Sequence, residues 1–86
     1  MKLAPVSIVV VQAGFVYVGR PTIDDGWVIL RSASNIRVWG TTDGLGELVN
    51  GPLSGTTLDV CGTVRIPMHA VISVIDARAD KWPGVA

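Results

Sequence analysis

Thr57-Leu58-Asp59-Val60-Cys61-Gly62-Thr63-Val64-Arg65-Ile66 alternates side chain by side chain. In an extended chain Leu58, Val60, Gly62, Val64 and Ile66 point one way, while Asp59, Cys61, Thr63 and Arg65 point the other. A two-residue period is the mark of a strand with one dry face and one wet face. It makes the protein mainly β, with Leu58, Val60, Val64 and Ile66 expected in one core together with Ile36 and Val38. Pro67-Met68 interrupts the run, and residues 69–75 read as the last strand.

Upstream, the chain keeps the same grammar of short strands and turn residues. Residues 6–12 are β-branched and nearly continuous, the pattern of a strand covered on both faces. Ala13-Gly14 allows a bend, and residues 15–20 make a second strand that Pro21 should end, since proline cannot donate to a ladder. Asp24-Asp25-Gly26 is a hairpin signal, because Asp-Gly readily takes the positive φ of a tight turn. Residues 27–33 are a third strand, Ser34-Asn35 a break or bulge, and 36–39 a fourth. The reading is therefore about six short strands in a small curled sheet or an SH3-like or Sm-like barrel, with an open meander as the alternative. It forms a single domain over 1–86, with an ordered core at about 6–76 and a polar tail at 77–86.

One short helix interrupts this pattern after Trp39-Gly40-Thr41-Thr42. Thr41, Thr42 or Asp43 can cap it, Glu47 can reach back in capping-box fashion, and Asn50-Gly51-Pro52 stops it. Gly44 and Gly46 weaken a helix by about 1 kcal/mol each relative to Ala. They are expected where another backbone or a ligand comes close.

Composition limits the function classes. The 86 residues are 49% apolar and only 16% charged, against about 25% charged in typical soluble domains. A domain of this size buries only about 60–65% of its unfolded surface, so the apolar excess points to a homo-oligomer interface. Formal charge is zero with no basic run, which speaks against a track for long nucleic acid. Cys61 is the lone cysteine and His69 the lone histidine. No disulfide, metal site or cofactor is expected, Cys61 reads as a small packed residue, and His69 as a turn residue. The start is apolar but interrupted by Pro5 and Ser7 and too short for a membrane span; a cytoplasmic protein without membrane contact is expected.

Trp39-Gly40-Thr41-Thr42-x-Gly44-Leu45-Gly46-Glu47-Leu48, then Gly51-Pro52, then Gly62-Thr63-Val64-Arg65-Ile66-Pro67-x-x-Ala70-Val71, resembles an uncharacterised family of small phage-encoded β-rich proteins. The similarity covers roughly residues 14–76. It implies a phage or prophage setting and transfers no catalytic residue. Small oligomeric phage proteins include sponges that trap nucleotide signals of bacterial immunity, an analogy of size and setting.

The candidate site follows from strand alternation. Asn35, Arg37 and Trp39 share one face, and the Gly40-Thr41-Thr42 turn comes next. Trp39 can stack on a base or plug the core or an interface. Arg37 can fork onto phosphate or pair with Asp43 or Glu47. Gly40, Thr41 and Thr42 can hold an anion at a helix start or simply cap it. Glu47 can accept from ribose hydroxyls, and Arg65 is a further phosphate ligand or a solvated surface residue. No order of Ser, His and Asp, no metal cluster and no phosphate loop is present, so no catalytic residue is expected. The expected function is sequestration of a nucleotide-like ligand without cleavage. The alternative is a structural or protein-interaction homo-oligomer.

Overall fold

Val6–Val11 forms β1, and its continuous apolar character has a direct cause: it is covered on both sides. The computed structural model describes residues 3–85. Val6 and Ile8 enter one buried cluster, with Val10 packed against it. Val9 enters a second cluster, joined by Val11. The two clusters occupy opposite sides of the sheet, as alternation requires.

After β1 the strands are β2 (Val16–Asp24), β3 (Trp27–Val38), β4 (Thr57–Pro67) and β5 (Val71–Ala77). They form one antiparallel sheet in the order β4-β3-β2-β1-β5, which does not close into a barrel. The protein is mainly β with five strands rather than six, because residues 27–38 run as one long strand. Asp24 pairs with Trp27 across a two-residue turn in which Asp25 (φ 47°) and Gly26 (φ 83°) are both left-handed, the type I′ geometry expected of Asp-Gly.

Pro21 does not end β2. Counting from the Asp24–Trp27 pair that closes the hairpin, bonded and non-bonded pairs alternate, and Pro21 opposite Leu30 falls at a non-bonded position. Its nitrogen therefore faces the flank where β1 has already stopped pairing, the last β1–β2 pair being Ser7 with Gly19. No ladder bond is lost.

The break expected at Ser34-Asn35 is a crease slightly upstream, and it crosses three strands. Pairing shifts at Gly19 on β2, between Leu30 and Ala33 on β3, and between Gly62 and Val60 on β4. Ser32 (φ 52°) and Gly62 (φ 79°) take left-handed conformations there. Such bulges bend a sheet sharply and invert which side each following residue faces. Thus Val28, Leu30 and Ile66 belong to the second cluster, with Val64 packed on it. Ile36 belongs to the first, with Leu58 packed on it.

The single core expected for the alternating stretch is consequently divided. Leu58 serves one side and Val64 and Ile66 the other. Val60, between them, is 89% exposed, and Val38 is also exposed. Cys61, expected to be packed, is the extra residue of the bulge and lies at the surface.

The first cluster is closed by a 3-10 turn, Leu45–Asn50, and by the C-terminal segment. The segment read as a polar tail supplies Trp82, only 2% exposed, and Val85. The Trp82 indole donates to the carbonyl of Leu48 at 2.8 Å, and the Arg78 amide donates to the Val49 carbonyl. Ala77, Trp82 and Val85 are core residues, so the segment 77–85 is part of the fold and not an appendage. Among the described residues, no helix is long and apolar enough to cross a membrane.

Candidate functional site

Asn35 and Arg37 do emerge on one face of β3, and the structure adds two residues to them. Asn35 lies opposite Tyr17 on β2 and opposite Asp59 on β4, making a three-strand row. The Asn35 amide donates to the Val16 carbonyl at 3.2 Å, a structural bond that leaves its oxygen free. Arg37 sits where the pairing with β4 shifts again, between Ile36 and Val38. Its Nε meets the Asp59 carboxylate at 2.9 Å, with the two side chains 64% and 48% exposed. Asp59, not Asp43 or Glu47, is the partner. An ion pair this exposed contributes only about 0–1 kcal/mol, so Arg37 remains open to a competing anion.

Trp39 lies just past the end of β3 and is 41% exposed. Its carbonyl accepts from the Thr56 hydroxyl at 2.6 Å, and that same hydroxyl accepts from the Leu53 amide. Gly40 (φ 68°) crosses Gly55 so closely that a Cβ would stand 2.3 Å from the Gly55 carbonyl carbon. The backbone carrying Trp39 is thereby pinned to the 53–56 loop while its ring stays outside the core.

The rest of the expected site departs from the sequence reading. The 3-10 turn begins only at Leu45, with Gly44 (φ 117°) before it and no side chain capping it. Thr41 and Thr42 therefore precede the turn rather than cap it, and a six-residue 3-10 turn has little dipole to offer an anion. Glu47 does reach back, accepting from the Asp43 amide, which commits one carboxylate oxygen to the protein itself. Gly44 and Gly46 adjoin no other backbone: a Cβ on either would meet nothing within 4 Å. Arg65 is not with this group at all. It lies beyond the crease, opposite Ile29.

Among the described residues, two clefts are found away from this face. One, of about 360 Å³, opens between residues 3–5 and Arg20, Thr22 and Arg31. The other, of about 250 Å³ and mostly apolar, is edged by Leu58, Val60, Trp82 and Val85. Tyr17 and Asp59 were not among the expected site residues. The alternation of 57–66 had put Asp59 on the polar face, which was the available signal; Tyr17 depended on a register no local pattern reveals. His69 falls in a 3-10 turn, Met68–Ala70. Among the described residues no group of three or more His, Cys, Asp or Glu side chains could hold a metal ion. No protein-family model matches this chain, and no curated protein matches its sequence.

Proposed function

We propose that the protein is a non-catalytic binding protein that sequesters a nucleotide-like small molecule, in the manner of a phage-encoded sponge acting in the host cytoplasm. The observation that carries this reading is Trp39: a large ring 41% exposed on a backbone fixed by the Gly40–Gly55 crossing. Aromatic rings held this way stack on bases at about 1–3 kcal/mol each. Arg37 stands two residues before it, and a phosphate can compete with Asp59 for its fork because charge-assisted, bidentate bonds exceed an exposed ion pair. The free Asn35 oxygen and the second Glu47 oxygen are acceptors for ribose or base donors, and Thr41 and Thr42 supply hydroxyls.

The test is thermal. A ligand bound only by the folded state raises the melting temperature with its concentration, so a panel of mononucleotides and cyclic dinucleotides should contain at least one that does. Mass spectrometry of the denatured protein should release the same compound when it co-purifies. Trp39→Ala should fold and lose about 1–3 kcal/mol of that affinity, and Arg37→Ala a similar amount. A panel without effect, together with unfolding of both variants, overturns the reading and makes Trp39 an interface plug.

A second reading, a structural homo-oligomer without a small ligand, is favoured by one observation of its own. Val60 at one free edge is 89% exposed and Ile72 at the other 65%. The two readings are compatible if subunit contacts wall in the exposed Trp39 face.

A further inference from the structure

Beyond the crease, the outer face of the folded-over half carries three of the five arginines in the chain. Arg20 on β2 is the direct cross-strand partner of Arg31 on β3. In the next row but one, Thr22 lies opposite Ile29, and Ile29 lies opposite Arg65 on β4. Side chains directly opposite in an antiparallel pair sit about 4.5–5.5 Å apart at Cβ, and like charges placed there repel. Such a pair is usually relieved by an interleaved carboxylate. Here, among the described residues, no carboxylate oxygen comes within 4 Å of Arg20, Arg31 or Arg65; the ion pairs are Arg37–Asp59 and Arg78–Asp80. The one acid that shares this face by register, Asp24, is at the hairpin end opposite Trp27.

The pair is also held in place and given room. A terminal nitrogen of Arg31 donates to the Thr22 hydroxyl at 3.1 Å. That fixes the guanidinium and leaves the hydroxyl hydrogen free to donate outward. Arg20, Thr22 and Arg31 then form one wall of the 360 Å³ cleft whose other wall is residues 3–5. The cleft exists because β1 stops pairing at Gly19 while β2 continues, so residues 3–5 pass that flank without joining the sheet. A volume near 360 Å³ falls within the range of small-ligand sites, about 300–1,000 Å³.

We propose that this cleft is a binding site for the phosphate group of a small molecule, separate from the Trp39 face. Arg20 and Arg31 are its two forks and the Thr22 hydroxyl a third donor. A doubly charged phosphate matches two guanidinium groups that have no counter-charge, and arginine is the residue suited to planar bidentate contact with its oxygens. Arg65, one strand further, does not line the cleft and contributes only its field.

The test uses the full chain and sodium pyrophosphate as probe, with ionic strength held constant by sodium chloride. Pyrophosphate should raise the melting temperature progressively. Arg20→Gln with Arg31→Gln should abolish the response while raising the melting temperature of the unliganded protein, since the repulsion is gone. Each single change should weaken binding about tenfold or more, Thr22→Val less, and Arg65→Gln least. Trp39→Ala should respond as the wild type does, so failure of the stacking site and failure of this one are told apart. The side-chain Nε–H resonances of the wild-type protein give a reading that needs no variant: those of Arg20 and Arg31 should shift and saturate. Adenosine monophosphate binding more tightly than phosphate of equal charge would identify an organic phosphate, and equal binding the phosphate group alone; both uphold the site. An unchanged response in the double variant, or parallel drift of all five arginine signals, overturns it.

Discussion

Ser7 is fully enclosed in β1 between Gly19 and Asp76, and its hydroxyl has no partner among the described residues. A buried hydroxyl without a hydrogen bond costs roughly 1–3 kcal/mol. Ser7→Ala should therefore stabilise the protein by about 1 kcal/mol, read as a higher urea midpoint with an unchanged slope; a loss of stability would mean that a water or a neighbour satisfies the oxygen. Val60 is the opposite case, an apolar side chain that the core does not use. Val60→Asp should change monomer stability by no more than about 0.5 kcal/mol, the usual range at exposed sites. Leu30→Ala, at a fully buried position of the second cluster, should cost about 2–5 kcal/mol. Val60 shares the side of Leu58 by register, two residues from it with no shift between them, yet it stands at the edge beyond the residues that cover Leu58.

At the scale of elements the crease is the organising feature, and Gly19 shows how closely it is packed. A Cβ at this position would stand 3.1 Å from the Leu30 Cβ and 3.3 Å from the Ala33 backbone. Gly19→Ala should then cost about 1–3 kcal/mol through overpacking alone, because its φ is not in the left-handed region. Thermal melting of this variant beside Gly46→Ala, where a Cβ meets nothing, isolates the packing contribution. These same positions explain what could be read in advance. The β character of the chain, the Asp25-Gly26 turn, the bend at Ala13-Gly14 and the stop at Gly51 rest on local chemistry and are legible, whereas the strand ends at Pro21 and Ser34-Asn35 depend on pairing and are not. The division of the core is not legible either, because one inserted residue inverts every later side chain and leaves the apolar-polar pattern intact. For the site, alternation placed Asn35 and Arg37 together correctly, while Arg65 was carried away by the crease and Asp59 was brought in by register. The polar neighbours of Trp82 make residues 77–86 read as a tail and hide its burial. Its indole bond to Leu48 and its burial predict that Trp82→Ala destabilises by about 3–5 kcal/mol. A truly polar tail would tolerate the same change.

The whole molecule has a radius of gyration of 11.7 Å, close to the value of about 12 Å for a folded domain of this length. The chain is thus as compact as a folded domain, with two buried clusters formed by its own residues. The apolar excess is spent at the margins. Val60 projects from β4 beside the apolar cleft edged by Trp82 and Val85, and Ile72 projects from β5 at the shift in its pairing with β1. Both free edges carry such bulges, and bulged edges resist open-ended strand pairing. Assembly should therefore proceed through side chains at Val60 and Ile72 into a closed oligomer of defined size, not by continuous extension of the sheet. Light scattering at micromolar concentration should give a single mass at a whole multiple of 9.1 kDa. Val60→Lys with Ile72→Lys should return the mass to that of one chain, since lysine at an edge keeps its charge solvated and opposes apolar contact. Because both side chains lie outside the core, the monomeric variant should keep its circular dichroism and most of its melting temperature. A wild-type mass of 9.1 kDa would remove the oligomer from both functional readings. A variant that unfolds on losing its partners would show instead that one chain cannot hold this sheet alone.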